Sequence, residues 1–362
     1  MTSKSIIPIQ RNTTHSLINF ENKNFQGLVC VAPYIVLEIG LDGDVGLCDC
    51  AGWLPSRVGN IYTQTLKEIL SGANACAIRE SISNGNYTYC NEKTCGVITQ
   101  QQMIVRSEIT EPTLVDLLND SNKFIMPREI WIAGDPTCNL SCPSCRTHII
   151  KNTDDKIEYL ESLGEKLKNN LFTVPSNDKI VVHVSTSGEL FASPLLLKFI
   201  NSIPIQDFPN LKLAIQTNGL LAPRSWHKLG AMQDRVESIT VTTDAATAPT
   251  YELLRRGGKW DDIQIALSWI AEKKKQNNMR LIMRMIVQHA NYQEIPEFYQ
   301  QAHALGAEVI EYARLLHWKA IPKDEFVKQD VFNPAHPEYA QAVNNLTIVK
   351  QQPLTYISGG LT

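Results

Sequence analysis

Glu129-Ile130-Trp131-Ile132-Ala133 is an apolar, β-branched run, and it leads directly into Cys138-Asn139-Leu140-Ser141-Cys142-Pro143-Ser144-Cys145. Three residues separate the first two cysteines and two separate the second pair, so one short loop presents three thiols from the end of a strand. Soft thiolates select zinc or iron–sulfur centres. A structural zinc site is closed by four protein ligands, and an ordinary ferredoxin-type cluster also takes four cysteines. Three ligands on a four-iron cluster therefore leave one iron open to a ligand from outside the protein. A zinc knuckle completed by His148 remains an alternative at this point, because Cys145-Arg146-Thr147-His148 places an imidazole nearby.

Outward from this loop, short apolar runs alternate with helical patterns. Strand candidates are Ile130–Ala133, Ile180–Val184, Leu211–Ile215, Ser238–Thr242, Leu281–Val287 and Glu308–Tyr312. Near-continuous runs of this kind suit a parallel sheet covered by helices. Ile157, Leu160, Leu163, Leu167 and Leu171 mark one intervening helix, and Ile295, Phe298, Tyr299, Ala302 and Leu305 another, with Asn291 and Glu294 expected as its capping pair. Six β-then-α units joined by right-handed crossovers are too few for a closed eight-stranded barrel. The expected α/β architecture is an open, partial (β/α)6 barrel over 126–318. A cysteine-rich domain over 1–125 precedes it, and a tail over 319–362 packs on its edge. In parallel sheets chemistry collects at the carboxyl ends of the strands, where the cysteine loop falls.

The cysteine spacing, with the loops that follow the later strands, resembles the radical S-adenosylmethionine (radical SAM) superfamily. The resemblance implies a [4Fe-4S] cluster on Cys138, Cys142 and Cys145 that chelates S-adenosylmethionine and cleaves it reductively. Ser185-Thr186-Ser187-Gly188-Glu189-Leu190 corresponds to the family's glycine-rich segment, with Ser187 and Leu190 standing where a glycine and a proline are usual. It implies that Ser187, Gly188 and Glu189 line the cofactor site. Gln216-Thr217-Asn218-Gly219 is similar to the family's Thr-Asn-Gly strand end, which adds Thr217 and Asn218. Thr250-Tyr251-Glu252-Leu253-Leu254-Arg255-Arg256-Gly257-Gly258 resembles a stretch of the members that carry auxiliary-cluster domains. There Arg255 or Arg256 would pair with the cofactor carboxylate, and Asp244 is the candidate catalytic residue facing substrate. His183 reads as a packed core residue, and Trp318 as a possible substrate contact.

Cys30, Cys48, Cys90 and Cys95 form a second set in the first hundred residues. With Cys30-Val31-Ala32-Pro33, Asp42-Gly43-Asp44-Val45 and Gly59-Asn60-Ile61 they look like a SPASM or Twitch domain, which implies one auxiliary [4Fe-4S] cluster. Cys50 competes with Cys48 for the register, and a zinc ribbon is the redox-silent alternative. Cys76 falls in a helical pattern and reads as a buried free thiol.

Bulk properties exclude little but point one way. The chain has 362 residues, a net charge of -3 and no basic stripe, which argues against nucleic acid or an anionic membrane as partner. No apolar stretch is long enough to span a bilayer, and the polar start Met1-Thr2-Ser3-Lys4 lacks a signal-peptide pattern, so a cytoplasmic protein is expected. Nine cysteines in that setting read as ligands or reactive thiols before disulfides. The barrel-plus-SPASM resemblance implies a ribosomally made precursor peptide as substrate, with cross-linking, epimerisation or backbone excision as outcomes. It also implies flavodoxin or ferredoxin as reductant, and a separate protein that presents the peptide. A radical SAM dehydrogenase acting on a small molecule or carbohydrate is the competing enzyme. A non-catalytic iron–sulfur or zinc relay is the reading from another class.

Overall fold

Val36–Ile39 lies in the cysteine-rich N-terminal region, yet it is hydrogen-bonded in parallel to Glu129–Ile132, the strand that carries the three-cysteine loop. That pairing governs the architecture of the computed structural model, which describes residues 25–48, 53–91, 95–99, 102–184, 187–317, 321–358 and 361. Cys50 and Trp318 lie outside these.

The strands are β1 (Leu28–Val29), β2 (Val36–Ile39), β3 (Asp44–Gly46), β4 (Gly59–Asn60), β5 (Ile104–Val105) and β6 (Glu129–Ile132). They continue as β7 (Ile180–Val184), β8 (Leu211–Thr217), β9 (Val236–Thr242), β10 (Arg280–Val287), β11 (Val309–Arg314) and β12 (Thr355–Ser358). Ten of them form one sheet in the order β12-β11-β10-β9-β8-β7-β6-β2-β3-β4. Every pairing from β12 to β2 is parallel, and β3 and β4 close the edge as an antiparallel hairpin. The class is mixed α/β with a mostly parallel sheet.

The sheet is longer than six βα units. β2 precedes the expected barrel and β12 follows it, so eight parallel strands are present among the described residues. The sheet runs without a break across the expected boundary at 125/126. The tail, for its part, supplies a helix, Tyr339–Lys350, and a strand rather than only packing on the edge.

The helices include α1 (Ala73–Ser83), α2 (Asp154–Leu171), α3 (Pro194–Ser202), α4 (Ala248–Leu254), α5 (Trp260–Asn277), α6 (Ile295–Ala304) and α7 (Tyr339–Lys350). α2 shows how the sequence builds them. Asp154 and Asp155 face the positive end of the helix dipole, and Leu160, Leu163, Leu167 and Leu171 make the buried stripe. α3 starts where Ser193 Oγ accepts the Leu196 N–H at 3.0 Å, followed by a proline in the first turn.

Asn291 and Glu294 do not cap their own helix. Glu294 reaches across to the start of α4, accepting the Ala246 and Thr247 N–H groups at 2.6 and 3.2 Å and the Thr247 hydroxyl at 2.7 Å. Asn291 instead donates to the Asp244 and Ile286 carbonyls at 2.8 and 2.9 Å, pinning the loop after β9.

One face of the sheet makes the main core. Ile130, Ile132, Val182, Val184, Leu213, Ile215, Val241, Met283 and Met285 pack with the leucines of α2 and α3 in one apolar cluster. Alternation sends their neighbours to the opposite face. There Glu38, Trp131 and His183 stand in register, as do Thr242, Arg284, Glu311 and Tyr356. This face is polar where the other is apolar. His183 belongs to it: its ring stacks on Trp131 at 3.8 Å and pairs with Glu129. A second apolar cluster under the N-terminal cysteines contains Phe25, Val29, Tyr34, Ile82, Tyr87, Ile98 and Leu117.

Candidate functional site

The three-cysteine loop leaves β6 at its carboxyl end, and buried polar groups fix its path. Asp135, 1% exposed, accepts the Thr137 N–H at 2.6 Å and the Ser193 hydroxyl, tying the loop to the start of α3. Cys138 and Cys142 are buried and Cys145 is exposed. Backbone turns at Cys142, whose carbonyl accepts the Cys145 and Arg146 N–H groups at 2.9 Å, bring the third thiol round.

Each of the three sulfurs meets N–H donors. Cys138 Sγ accepts from Leu140 N at 3.5 Å and Asn218 Nδ2 at 3.8 Å. Arg255 Nη1 lies 3.6 Å from Cys142 Sγ, and Arg146 Nη2 lies 3.3 Å from Cys145 Sγ. Donors aimed at sulfur stabilise thiolate, the form that binds metal. Burial, only partly offset by the Leu140 N–H and by Arg146, pushes the Cys138 thiol up to about 11, so the ligand form has to be drawn out by a bound cation. This donor set fits a thiolate-bound iron–sulfur cluster. His148 is engaged with the Thr147 hydroxyl at 3.0 Å, and among the described residues no three His, Cys, Asp or Glu side chains converge on a single ion.

The residues expected around the cofactor are largely brought to this loop, in roles the spacing did not reveal. Gly188 lies against it: a Cβ there would stand 2.4 Å from the Asp135 carbonyl and 2.7 Å from that of Thr137. Ser187 presents its carbonyl to Arg146 Nη2 at 2.8 Å. Glu189 does not line an open site. It is wholly buried and accepts Phe191 N–H at 3.2 Å, the Thr217 hydroxyl at 2.8 Å and Asn218 N–H at 2.8 Å, joining the loop after β7 to the end of β8. Burial pushes its carboxyl up, and these donors pull it back. Thr217 is likewise turned inward, whereas Asn218 reaches the loop through Asn139 Oδ1 at 2.8 Å as well as Cys138.

Asp244 sits at the end of β9 with φ of 58°, 3% exposed. Its Oδ1 accepts Ile286 N–H at 2.7 Å, and its Oδ2 lies 3.1 Å from Arg255 Nη2. It faces Arg255 rather than open space. Burial opposes charge on that guanidinium, but Asp244 and then Cys142 outweigh it and hold the group well above its ordinary range. Arg255 Nε and Nη2 are buried without a hydrogen-bond partner among the described residues, Nη2 meeting Asp244 as an ion pair only. Arg256 staples the loop from outside, donating to Ser141 Oγ at 3.1 Å and to the Thr147 carbonyl at 3.0 Å, while its own carbonyl accepts Ser141 N–H at 3.0 Å.

The N-terminal thiols lie on the two apolar clusters. Cys30, Cys90 and Cys95 pack into the second apolar cluster, and Cys48 packs on the main core, which Cys90 also touches. Tyr87 organises this region. Its hydroxyl accepts Cys30 N–H at 2.9 Å and donates to the Leu28 carbonyl at 3.0 Å, and its own carbonyl accepts Cys90 N–H at 3.0 Å. Burial, with Cys95 beside it, pushes the Cys90 thiol up to about 12. Cys76 lies apart, buried on α1 with its thiol 3.0 Å from Asn122 Oδ1. Tyr87 and Arg146 were not anticipated; the sequence signal was nearness, Arg146 directly after Cys145 and Tyr87 three residues before Cys90.

Comparison with known proteins adds a domain. Residues 30–96 match the SPASM family, an iron–sulfur cluster-binding domain; the stretch holds Cys30, Cys48, Cys90 and Cys95 together with β2, β3 and β4 of the main sheet. No curated protein matches the chain. Among solved structures it is similar to TYW1 with a lysine-pyruvate adduct bound (17% identity, 62% of this chain and 74% of that one, TM-score 0.40). It is also similar to anSMEcpe with bound AdoMet (16%, 63% and 60%, TM-score 0.43). A third likeness is to Streptococcus suis SuiB bound to S-adenosylmethionine (12%, 84% and 68%, TM-score 0.46). The chain spans about three fifths of the anSMEcpe chain.

Proposed function

We propose that the protein is a radical SAM enzyme that modifies a precursor peptide. The observation that carries this reading is the strand-end loop of Cys138, Cys142 and Cys145, with an N–H donor at every sulfur and no fourth cysteine in the loop. Cys138, Cys142 and Cys145 would hold a four-iron cluster, which would supply the electron for reductive cleavage of S-adenosylmethionine and so the means to abstract hydrogen from substrate.

The chain's own residues do the rest. Ser187 and Gly188 border the loop, and the unpartnered Nε of Arg255 suits the carboxylate of the cofactor. The polar face of the sheet, with the Trp131–His183 stack and the Arg284–Glu311 pair at 2.7 Å, offers hydrogen-bonding groups suited to a peptide. The SPASM module holds one auxiliary cluster on Cys30, Cys48, Cys90 and Cys95 in this reading. Flavodoxin or ferredoxin supplies the electron, and a separate protein presents the peptide. No helix among the described residues is long and apolar enough to cross a membrane.

The test is anaerobic reconstitution with iron and sulfide, reduction with dithionite, and assay for 5′-deoxyadenosine. Turnover in the native chain and its loss in Cys142→Ala is the expected result. Stoichiometric zinc without iron in protein purified anaerobically, or cofactor cleavage unaffected by Cys142→Ala, overturns the reading.

A further inference from the structure

The Asp244–Arg255–Cys142 chain has a consequence separate from cofactor binding. Arg255 is a charged group only 12% exposed at its side chain, held between a thiol and a carboxylate. Arg146, the other guanidinium at a sulfur, reaches Cys145, which is exposed and where water screens its charge. Iron–sulfur potentials are set by net charge, hydrogen bonds to sulfur and exposure. One-electron reduction adds a negative charge to a cluster and its thiolates, so a nearby buried cation favours the reduced form and a nearby carboxylate disfavours it.

We propose that Arg255 sets the reduction potential of the cluster on Cys142, and that Asp244 is the positioning residue that holds and partly offsets its charge. This rests on the iron–sulfur reading of the cysteine loop. Two opposed charges in contact, the guanidinium hydrogen-bonded to Cys142 Sγ and ion-paired with Asp244, predict opposite effects on removal. Arg255→Gln withdraws the cation and moves the potential negative. Asp244→Asn keeps an oxygen for the Ile286 N–H, leaves the cation unopposed and moves the potential positive. Arg255→Lys keeps the charge but loses the fork that engages both partners, and falls between wild type and the glutamine variant.

The experiment is a redox titration of the reconstituted full chain with dithionite and mediators, without added S-adenosylmethionine, followed by electron paramagnetic resonance. A parallel sample with S-adenosylmethionine identifies the signal of the open-site cluster, because that signal alone changes shape. The expected result at a fixed poise is about a tenfold fall in the reduced-to-oxidised ratio for Arg255→Gln, equal to about 59 mV for one electron. A rise is expected for Asp244→Asn. Unchanged midpoints, or shifts of the same sign, overturn the proposal, since loss of loop order would move both variants alike. If Arg255→Gln fails to retain iron, the Arg255→Lys and Asp244→Asn pair decides, and absence of opposite shifts counts against it. Absence of any signal that S-adenosylmethionine perturbs would instead sink the cluster reading itself.

Discussion

Gly188→Ala tests whether the loop after β7 is seated on the cysteine loop as tightly as the distances state. An added Cβ meets two backbone oxygens, Asp135 O at 2.4 Å and Thr137 O at 2.7 Å. Neither is the end of a flexible side chain, so a segment must move. Overpacking of this kind costs about 1–3 kcal/mol. The Glu189 N–H bond to Thr137 O, 2.8 Å long, lies in the path of that movement, and losing it adds about 1 kcal/mol. The sum is about 2–4 kcal/mol, which for a chain of this length lowers the melting temperature by about 3–5 °C if it unfolds as one unit. The assays are thermal unfolding of the metal-free protein and iron bound per chain after reconstitution; both should fall. Gly40→Ala is the control, because its Cβ would meet only the Asp44 carbonyl at an ordinary 3.5 Å. A Gly188→Ala variant as stable and as iron-replete as that control would refute the reasoning.

Tyr87→Phe leaves Cys30 N–H and the Leu28 carbonyl without their shared hydroxyl, so it should cost about 1–3 kcal/mol by denaturant titration and lower iron in the N-terminal module. Glu294→Ala should destabilise by about 2 kcal/mol, since the start of α4 loses the carboxylate that caps it from outside the helix; equilibrium unfolding in urea reads it. The raised carboxyl of Glu189 fixes a pH dependence. Between the ordinary glutamate range and its raised value the folded protein binds more protons than the unfolded chain, so stability falls as pH rises through that window. Glu189→Gln should flatten that slope while lowering stability overall, as measured by unfolding free energy against pH.

How much of this was legible in the sequence depends on distance along the chain. The cysteine loop at the end of β6, the six central strands and the helical, buried Cys76 are local patterns, and each is found where its residues indicate. The SPASM match begins at Cys30, the first cysteine of the set read from sequence. Partnerships across the fold were not legible. Val36-Leu37-Glu38-Ile39 and Thr355-Tyr356-Ile357-Ser358 are four-residue strands whose place is decided by β6 and β11, far away in sequence. Glu294 looks like a cap for the helix beside it and serves another, and Glu189 carries a motif position but is turned inward by Thr217 and Asn218. Spacing tells which groups share a loop; it is silent on which buried donor a carboxylate will find.

Because Val36–Ile39 is hydrogen-bonded along β6, the module matched to SPASM is stitched into the wall that bears the cysteine loop. Excising residues 30–96 would strip β6 of its neighbour and bare a row of peptide groups ready to pair with other chains. Here the module cannot be detached like a bead from a string: it is a plank of the wall, and a deletion mutant should precipitate rather than survive as a free-standing sheet.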